Sequence, residues 1–131
     1  MDGYEPLDGY DPSCSPDATA WLALDEQERM NLALEYHRRR RTKIPEPTVH
    51  AIVHAVVETQ VAMDASGVVG RTLVRLQDEG LDRHDAIHAV GSVLAVELIV
   101  LMRGDRPALD GQERYFAAVE LLTAESWRRE G

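Results

Sequence analysis

Four of the five histidines in this chain occur in two pairs with the same spacing. His50 and His54 form the first pair, and His84 and His88 form the second. In a helix, residues four positions apart lie on one face with Cβ atoms about 5–6 Å apart, so each pair can direct two imidazoles to one place. Histidine is the side chain that most often binds metal ions. The spacing therefore predicts a metal site where two helices meet.

The first histidine pair lies within the apolar face of its predicted helix. At 100° per residue, Val57 and Val61 fall within about 20° of His50, and His54 falls at about 40°. The second pair is placed in the same way on its own segment. Histidines at such positions should be buried, and a buried imidazole without hydrogen bonds costs about 1–3 kcal/mol. Two interpretations follow: a metal site, or a core in which carbonyl groups and Glu58 satisfy the imidazoles.

Glu58 lies one helical turn beyond His54 and about 40° further round the helix. It could bind the metal directly, or it could act as a general base beside a metal-bound water. Imidazoles with one carboxylate suit Zn, Fe, Ni, Mn or Cu better than Ca or Mg, which prefer oxygen ligands. Glu58 is the only catalytic candidate. The predicted metal ligands are His50, His54, Glu58, His84 and His88.

The fifth histidine, His37, directly follows Glu35 and Tyr36 near the end of a predicted helix and just before a run of arginines. We interpret it as a peripheral residue with a structural role. A fifth ligand and a hydrogen-bonding partner of a ligand are the alternatives. The arginines are interpreted as cations at the negative end of the helix dipole, with an anion-binding patch as the alternative.

Apolar periodicity and helix-end signals predict an all-α fold, a compact bundle of four to five helices with a histidine-lined core. The segment with the first histidine pair is rich in β-branched residues, but its length and histidine spacing favour a helix. Gly80 should end the third helix, and Asp82 should cap the fourth. The predicted helices span residues 17–40, 48–63, 68–79, 82–102 and 110–129. A capping turn at residues 25–28 could divide the first of these helices.

The beginning of the chain has a different composition. Residues 1–16 repeat Asp-Gly-Tyr followed by an acid and a proline. Such a segment has too little apolar surface to fold alone, so we predict a disordered acidic tail over residues 1–16 and one helical domain over 17–131. A docking segment that uses Tyr4 and Tyr10 is the alternative.

Charge and cysteine content limit the classes of partner. The net charge is −9, and residues 1–28 hold eight acids and no Lys or Arg, so the rest of the chain is almost neutral. A nucleic-acid partner is not expected without a basic surface. Cys14 is the only cysteine, and we find no uninterrupted apolar run near the ~18 residues that span a membrane. We predict a soluble cytoplasmic protein, with a small-molecule substrate and a second copy of the chain as candidate partners.

Three motifs together resemble a small bacterial family of helical proteins of unknown function. They are Glu35-Tyr36-His37, then His50-x-x-x-His54-x-x-x-Glu58-x-Gln60, then Gly80-Leu81-x-Arg83-His84-Asp85-Ala86-x-His88-Ala89. The resemblance covers roughly residues 36–98 and implies a compact helical fold with a metal site. It supplies no reaction. The family's pattern has an acid at the position of Val96, whereas this chain has Glu97, so a second carboxylate ligand is not implied.

The spacing is also similar to that of hemerythrins, which place His-x-x-x-Glu on one helix and His-x-x-x-His on the next. His54 with Glu58 and His84 with His88 match these pairs. The further His and Asp of the last hemerythrin helix are missing here. Three functions stay open: a metal-binding protein that could act as a metal-dependent enzyme on a small molecule, an interaction module with a structural metal or a His/Glu core network, and a dinuclear iron oxygen-binding protein.

Overall fold

A computed structural model describes residues 9–39, 46–104 and 111–130 of the chain. This part of the chain is helical without strands, which confirms the predicted all-α class, but it contains seven helices and so exceeds the predicted four to five. The helices are α1 (Ala18–Ala23), α2 (Glu26–Arg39), α3 (Pro47–Met63), α4 (Val68–Asp78), α5 (Arg83–Arg103), α6 (Gly111–Leu121) and α7 (Ala124–Glu130).

The extra helices arise because capping groups divide two of the predicted helices. Asp25 and Glu28 form a capping box between α1 and α2: each backbone N–H donates to the side chain of the other residue, at 3.0 and 2.8 Å. Thr123 and Ser126 make a similar reciprocal pair before α7. Each pair satisfies N–H groups that a new helix start leaves without a partner.

The connection between α4 and α5 follows the predicted signals. Gly80 has a φ of 107°, a conformation that glycine adopts without strain. The Leu81 N–H donates to the Leu76 carbonyl at 3.1 Å, which completes a Schellman turn. The Asp82 side chain then accepts from the Asp85 N–H and caps α5. This turn sets the direction of α5 and therefore the position of His84 and His88.

Helix α3 is the central element of the described structure, and it packs against α1, α2, α4 and α5. Two apolar cores lie on either side of it. The first contains buried residues of α3 to α7, among them Leu76, Ile87 and Val119, and the second contains Trp21, Ala33 and Ala51 from α1, α2 and α3. Gly91 allows α3 and α5 to approach closely, since a Cβ at this position would lie 2.4 Å from Val53 Cγ1.

The N-terminal segment differs from the prediction of a disordered tail over residues 1–16. Residues 1–8 lie outside the described residues. From Gly9 onward the chain packs on the bundle: Tyr10 is 8% exposed, and the Pro12 side chain is fully buried. The Tyr10 ring contacts Trp21 and Tyr36. A sequence poor in apolar residues is thus held by a few specific contacts.

Helix α5 is long and apolar enough to cross a membrane by length and composition, with an 18-residue window of mean hydropathy 1.8. The sequence prediction counted only uninterrupted apolar residues and overlooked this helix. Core helices of soluble proteins can be equally long and apolar. Here one third of the window is buried in the bundle.

Candidate metal centre

All five histidines of the chain lie together. His37 comes from α2, His50 and His54 from α3, and His84 and His88 from α5. One nitrogen of each imidazole belongs to a group whose atoms lie within 4.8 Å of one another. We call this group the histidine cluster. The arrangement joins the two histidine pairs that the spacing predicted to converge, and it adds His37.

His37 is buried within the histidine cluster, in contrast to the peripheral position predicted for it. Its Nδ1 lies 2.8 Å from the carbonyl oxygen of Ala33, one turn earlier in α2. A carbonyl can only accept, so Nδ1 carries the proton and Nε2 has a lone pair. That Nε2 atom is buried and has no hydrogen-bond partner among the described residues. A lone pair in this state is what a metal ion requires of histidine.

The tautomer of His54 follows from two hydrogen bonds of Tyr10. The Tyr10 hydroxyl donates to Glu58 Oε2 at 2.7 Å, and it lies 3.0 Å from His54 Nδ1. Since the hydroxyl proton goes to the carboxylate, the hydroxyl oxygen accepts from His54 Nδ1–H. The Nε2 atom of His54 is then unprotonated, and its lone pair is directed toward the other histidines of the cluster.

Three imidazole nitrogens lie unusually close together. His88 Nε2 is 3.0 Å from His54 Nε2 and 3.1 Å from His50 Nε2. If His88 Nε2 carries a proton, that proton must be shared between His50 Nε2 and His54 Nε2. If His50 Nε2 carries it instead, no proton lies between His54 Nε2 and His88 Nε2. Single hydrogen bonds therefore cannot satisfy this trio well. A cation between the nitrogens would accept their lone pairs.

Burial and mutual proximity keep these imidazoles neutral. Burial, with further contributions from His37 and His84, lowers the pKa of His50 to about 4. Burial and the neighbouring His84 and His50 lower the pKa of His88 to about 3. The pKa of fully buried His54 is also lowered, by burial first and then by the surrounding histidines. Neutral imidazoles are the form that binds metals.

Glu58 lies beside the histidine cluster but outside its group of ligand atoms. Its Oε1 accepts from Arg83 Nη2 at 2.7 Å, and its Oε2 accepts from Arg83 Nη1 at 2.8 Å and from Tyr10. Both oxygens are thus engaged in a buried ion pair. This differs from the ligand and general-base roles predicted for Glu58, because the carboxylate contacts a cation and a hydroxyl instead of facing the cluster.

Two residues of this network were not predicted to be near the site. Arg83 precedes His84 and follows the cap Asp82, a position typical of a surface cation, yet it is only 8% exposed. Its guanidinium also donates to the carbonyls of Pro12 and Cys14, at 3.0 and 3.1 Å. The second residue is Tyr10, whose ring packs edge-on against His54. The burial of both depends on contacts between distant parts of the sequence.

The donor set of the cluster fits a transition metal. In octahedral coordination, nitrogen ligands about 2.1 Å from an ion lie about 3 Å apart when adjacent and about 4.2 Å apart when opposite; in tetrahedral coordination all of them lie about 3.4 Å apart. The two short nitrogen separations match the first value, and the 4.8 Å limit of the cluster exceeds the second by about half an ångström. Small side-chain movements would close that difference. Imidazole nitrogens suit Zn, Cu, Fe and Ni.

The described part of the chain is therefore an all-helical protein with a buried histidine cluster that could bind metal. Comparison with models of protein families, with curated proteins and with solved structures found no match.

Proposed function

We propose that this protein binds one transition metal ion through its histidine cluster. The observation that supports the proposal best is the position of His88 Nε2, which lies 3.0 Å from His54 Nε2 and 3.1 Å from His50 Nε2 with too few protons among the three atoms. The free Nε2 of His37 adds a fourth donor with a defined lone pair. Zn, Cu, Fe and Ni are the metals that this donor set favours, with Mn also retained from the sequence prediction.

One ion suits the cluster better than two. All five donor nitrogens lie within 4.8 Å of one another, and the carboxylate of Glu58 is held by Arg83. Dinuclear iron sites in helical bundles rely on carboxylates that join the two ions. The hemerythrin-like alternative therefore has less support than a mononuclear site.

The first test measures metal content and metal-dependent stability. After purification from metal-supplemented medium, elemental analysis should find about one ion per chain. The ion should raise the free energy of unfolding, by about 4 kcal/mol when free metal is a thousand times its Kd. His54→Ala and His88→Ala should lose most of that increase. The matched control is Leu73→Ala, a buried core position outside the cluster, which should destabilise the protein but keep the metal-dependent increase.

Two outcomes would contradict the proposal. One is a metal content no higher than that of the buffer. The other is an equal loss of stability in the histidine variants with and without metal, which would indicate a hydrogen-bonded histidine core.

A second candidate function is a metal-dependent enzyme that acts on a small molecule. It is supported by the partial exposure of His50, His84 and His88, which places one side of the cluster near solvent. A bound metal would supply Lewis acidity or activate a water. Addition of azide to the cobalt-loaded protein tests access: a change in the visible spectrum indicates an open position, whereas an unchanged spectrum favours a structural metal in an interaction module.

The remaining assignments are proposals that rest on sequence features. Membership of the small bacterial helical family depends on the three motifs around His37, His54 and His88. A cytoplasmic location depends on the single cysteine, Cys14, and the acidic composition. A small-molecule substrate and a second copy of the chain are the proposed partners.

A further inference from the structure

The segment from Gly9 to Cys14 is held against the bundle by groups that surround the histidine cluster. Tyr10 is buried and hydrogen-bonds with His54 and Glu58. The carbonyls of Pro12 and Cys14 accept from Arg83, the residue directly before His84. We call residues 9–14 the strap. Its polar contacts with the bundle therefore reach the middle of α3 and the start of α5, the two helices that carry the histidine pairs.

A chain of hydrogen bonds connects the strap to the cluster. Arg83 donates to Glu58 with both Nη atoms, Glu58 accepts from the Tyr10 hydroxyl, and the Tyr10 oxygen accepts from His54 Nδ1–H. In the last two links, the Tyr10 hydroxyl proton goes to Glu58 and the His54 Nδ1 proton goes to the Tyr10 oxygen. The Glu58 carboxylate pairs with Arg83 and accepts a hydrogen bond from the Tyr10 hydroxyl, so that the hydroxyl oxygen is left to accept from the imidazole.

This chain selects one tautomer of His54. Without the Tyr10 oxygen, the imidazole could carry its proton on Nε2, which would direct that proton at His88 instead of a lone pair. Groups that hydrogen-bond to the second nitrogen of a metal-binding histidine fix its tautomer and orientation in this way. The strap thus supplies a part of the metal site that no cluster histidine can supply itself.

We propose that Tyr10 is a positioning residue for the metal at His54, and that docking of the strap and metal binding strengthen each other. This inference rests on the proposed metal-binding function. If Tyr10 raises the affinity for metal, metal must by linkage favour the docked strap by the same factor. The fraction of molecules with a docked strap would then increase with the fraction that holds metal.

The first experiment compares zinc affinity in two matched variants of the full chain by competition with a chromophoric chelator. Tyr10→Phe keeps the ring but removes the hydroxyl, and we expect a 10–100-fold weaker affinity, as is usual for such outer partners. Tyr115→Phe is the control, because the Tyr115 hydroxyl is another buried donor, to Gln60 Oε1 at 2.6 Å, away from the histidines. Its zinc affinity should be unchanged. If Tyr10 has only a structural role, the zinc affinity of Tyr10→Phe should be as little changed as that of Tyr115→Phe.

The second experiment uses the only cysteine as a natural probe of the strap. The Cys14 thiol is exposed, while its carbonyl contacts Arg83, so a nitroxide spin label on the thiol should leave the strap in place. Addition of zinc should reduce the mobile fraction of the electron paramagnetic resonance spectrum. The reduction should be smaller in Tyr10→Phe than in Tyr115→Phe. Deletion of residues 1–8 should preserve zinc affinity, whereas deletion of residues 1–16 should lower it at least as much as Tyr10→Phe.

The outcomes separate this inference from the proposed function. If the wild-type protein binds zinc and Tyr10→Phe binds it equally well, the role of Tyr10 is refuted and the metal site stands. Label mobility that is unaffected by zinc would refute the coupling between strap and metal. If the wild-type protein binds no transition metal, the proposed function and this inference both fail.

Discussion

The variant Gly91→Ala tests whether close contact between α3 and α5 keeps the imidazoles of His54 and His88 together. The added Cβ would lie 2.4 Å from Val53 Cγ1, about 1 Å closer than the 3.5 Å at which carbon atoms attract most. Valine in a helix is nearly restricted to one rotamer, so Val53 cannot easily turn away. We expect α3 and α5 to separate by a substantial part of that 1 Å.

The expected loss of stability follows from two opposing effects. Overpacking of this kind costs about 1–3 kcal/mol. Alanine is a better helix former than glycine by about 1 kcal/mol, which offsets part of the cost. The net change in the free energy of unfolding should therefore be a loss of about 0–2 kcal/mol in metal-free protein. The effect on metal should be larger, because the 3.0 Å separation of His54 Nε2 and His88 Nε2 depends on the same helix pair.

Urea unfolding of the metal-free protein and zinc titration provide the two measurements. The control is Gly111→Ala, since a Cβ there meets nothing within 4 Å. The double variant Val53→Ala/Gly91→Ala removes the colliding methyl group and should recover zinc affinity, with a coupling energy of about 1–3 kcal/mol in a double-mutant cycle. A Gly91→Ala protein with unchanged zinc affinity would refute the link between helix contact and ligand geometry.

Two further predictions concern charge in the core. Burial keeps the pKa of His50 and His88 below that of unfolded histidine, at about 4 and 3; below pH 6.5 the unfolded chain thus takes up protons that the folded chain does not. Metal-free protein should therefore melt at a lower temperature at pH 5 than at pH 7.5, and an equal or higher melting temperature at pH 5 would contradict neutral buried imidazoles. Glu58→Gln should lower the free energy of unfolding by about 3–5 kcal/mol, because it leaves the buried Arg83 charge unpaired. Urea unfolding would measure this loss, and a loss no larger than that of Glu35→Gln, whose ion pairs are exposed, would show that the buried pair contributes little.

The convergence of the two histidine pairs was predictable because it depends on local periodicity. Residues four apart in a helix must share a face, and the apolar face of each segment had to turn inward. The turn between α4 and α5 was predictable for the same reason, since Gly80 and Asp82 act through their own backbone and near neighbours. His37 was placed incorrectly because the arginines after it suggested an exposed helix end. The burial of Ala33, one turn earlier, follows only from the packing of α2 on α3.

The hydrogen-bond network could not be predicted from local patterns. Tyr10 is 44 residues from His54 and 48 from Glu58 along the chain, and Arg83 is 25 residues from Glu58. The composition around Tyr10 indicates disorder, and the position of Arg83 indicates a solvated cation. Three groups that each look unsuited to a core become stable there because they satisfy one another. From the sequence alone, the candidate partners of Glu58 were a metal ion, a metal-bound water or the imidazoles.

The spacing of the histidines also affects how the site could assemble during folding. The pairs on α3 and α5 are local, so each helix contains a two-imidazole chelate before the helices meet, whereas His37 joins through the packing of α2. An ion bound by one histidine pair would stabilise the first turn of that helix. Nucleation of this turn is the unfavourable step of helix formation. In excess metal, however, each pair in an unfolded chain could capture its own ion, and binding to unfolded chains reduces the stabilisation that metal provides. The yield of folded protein should therefore be highest near one equivalent of metal and decline as the excess grows.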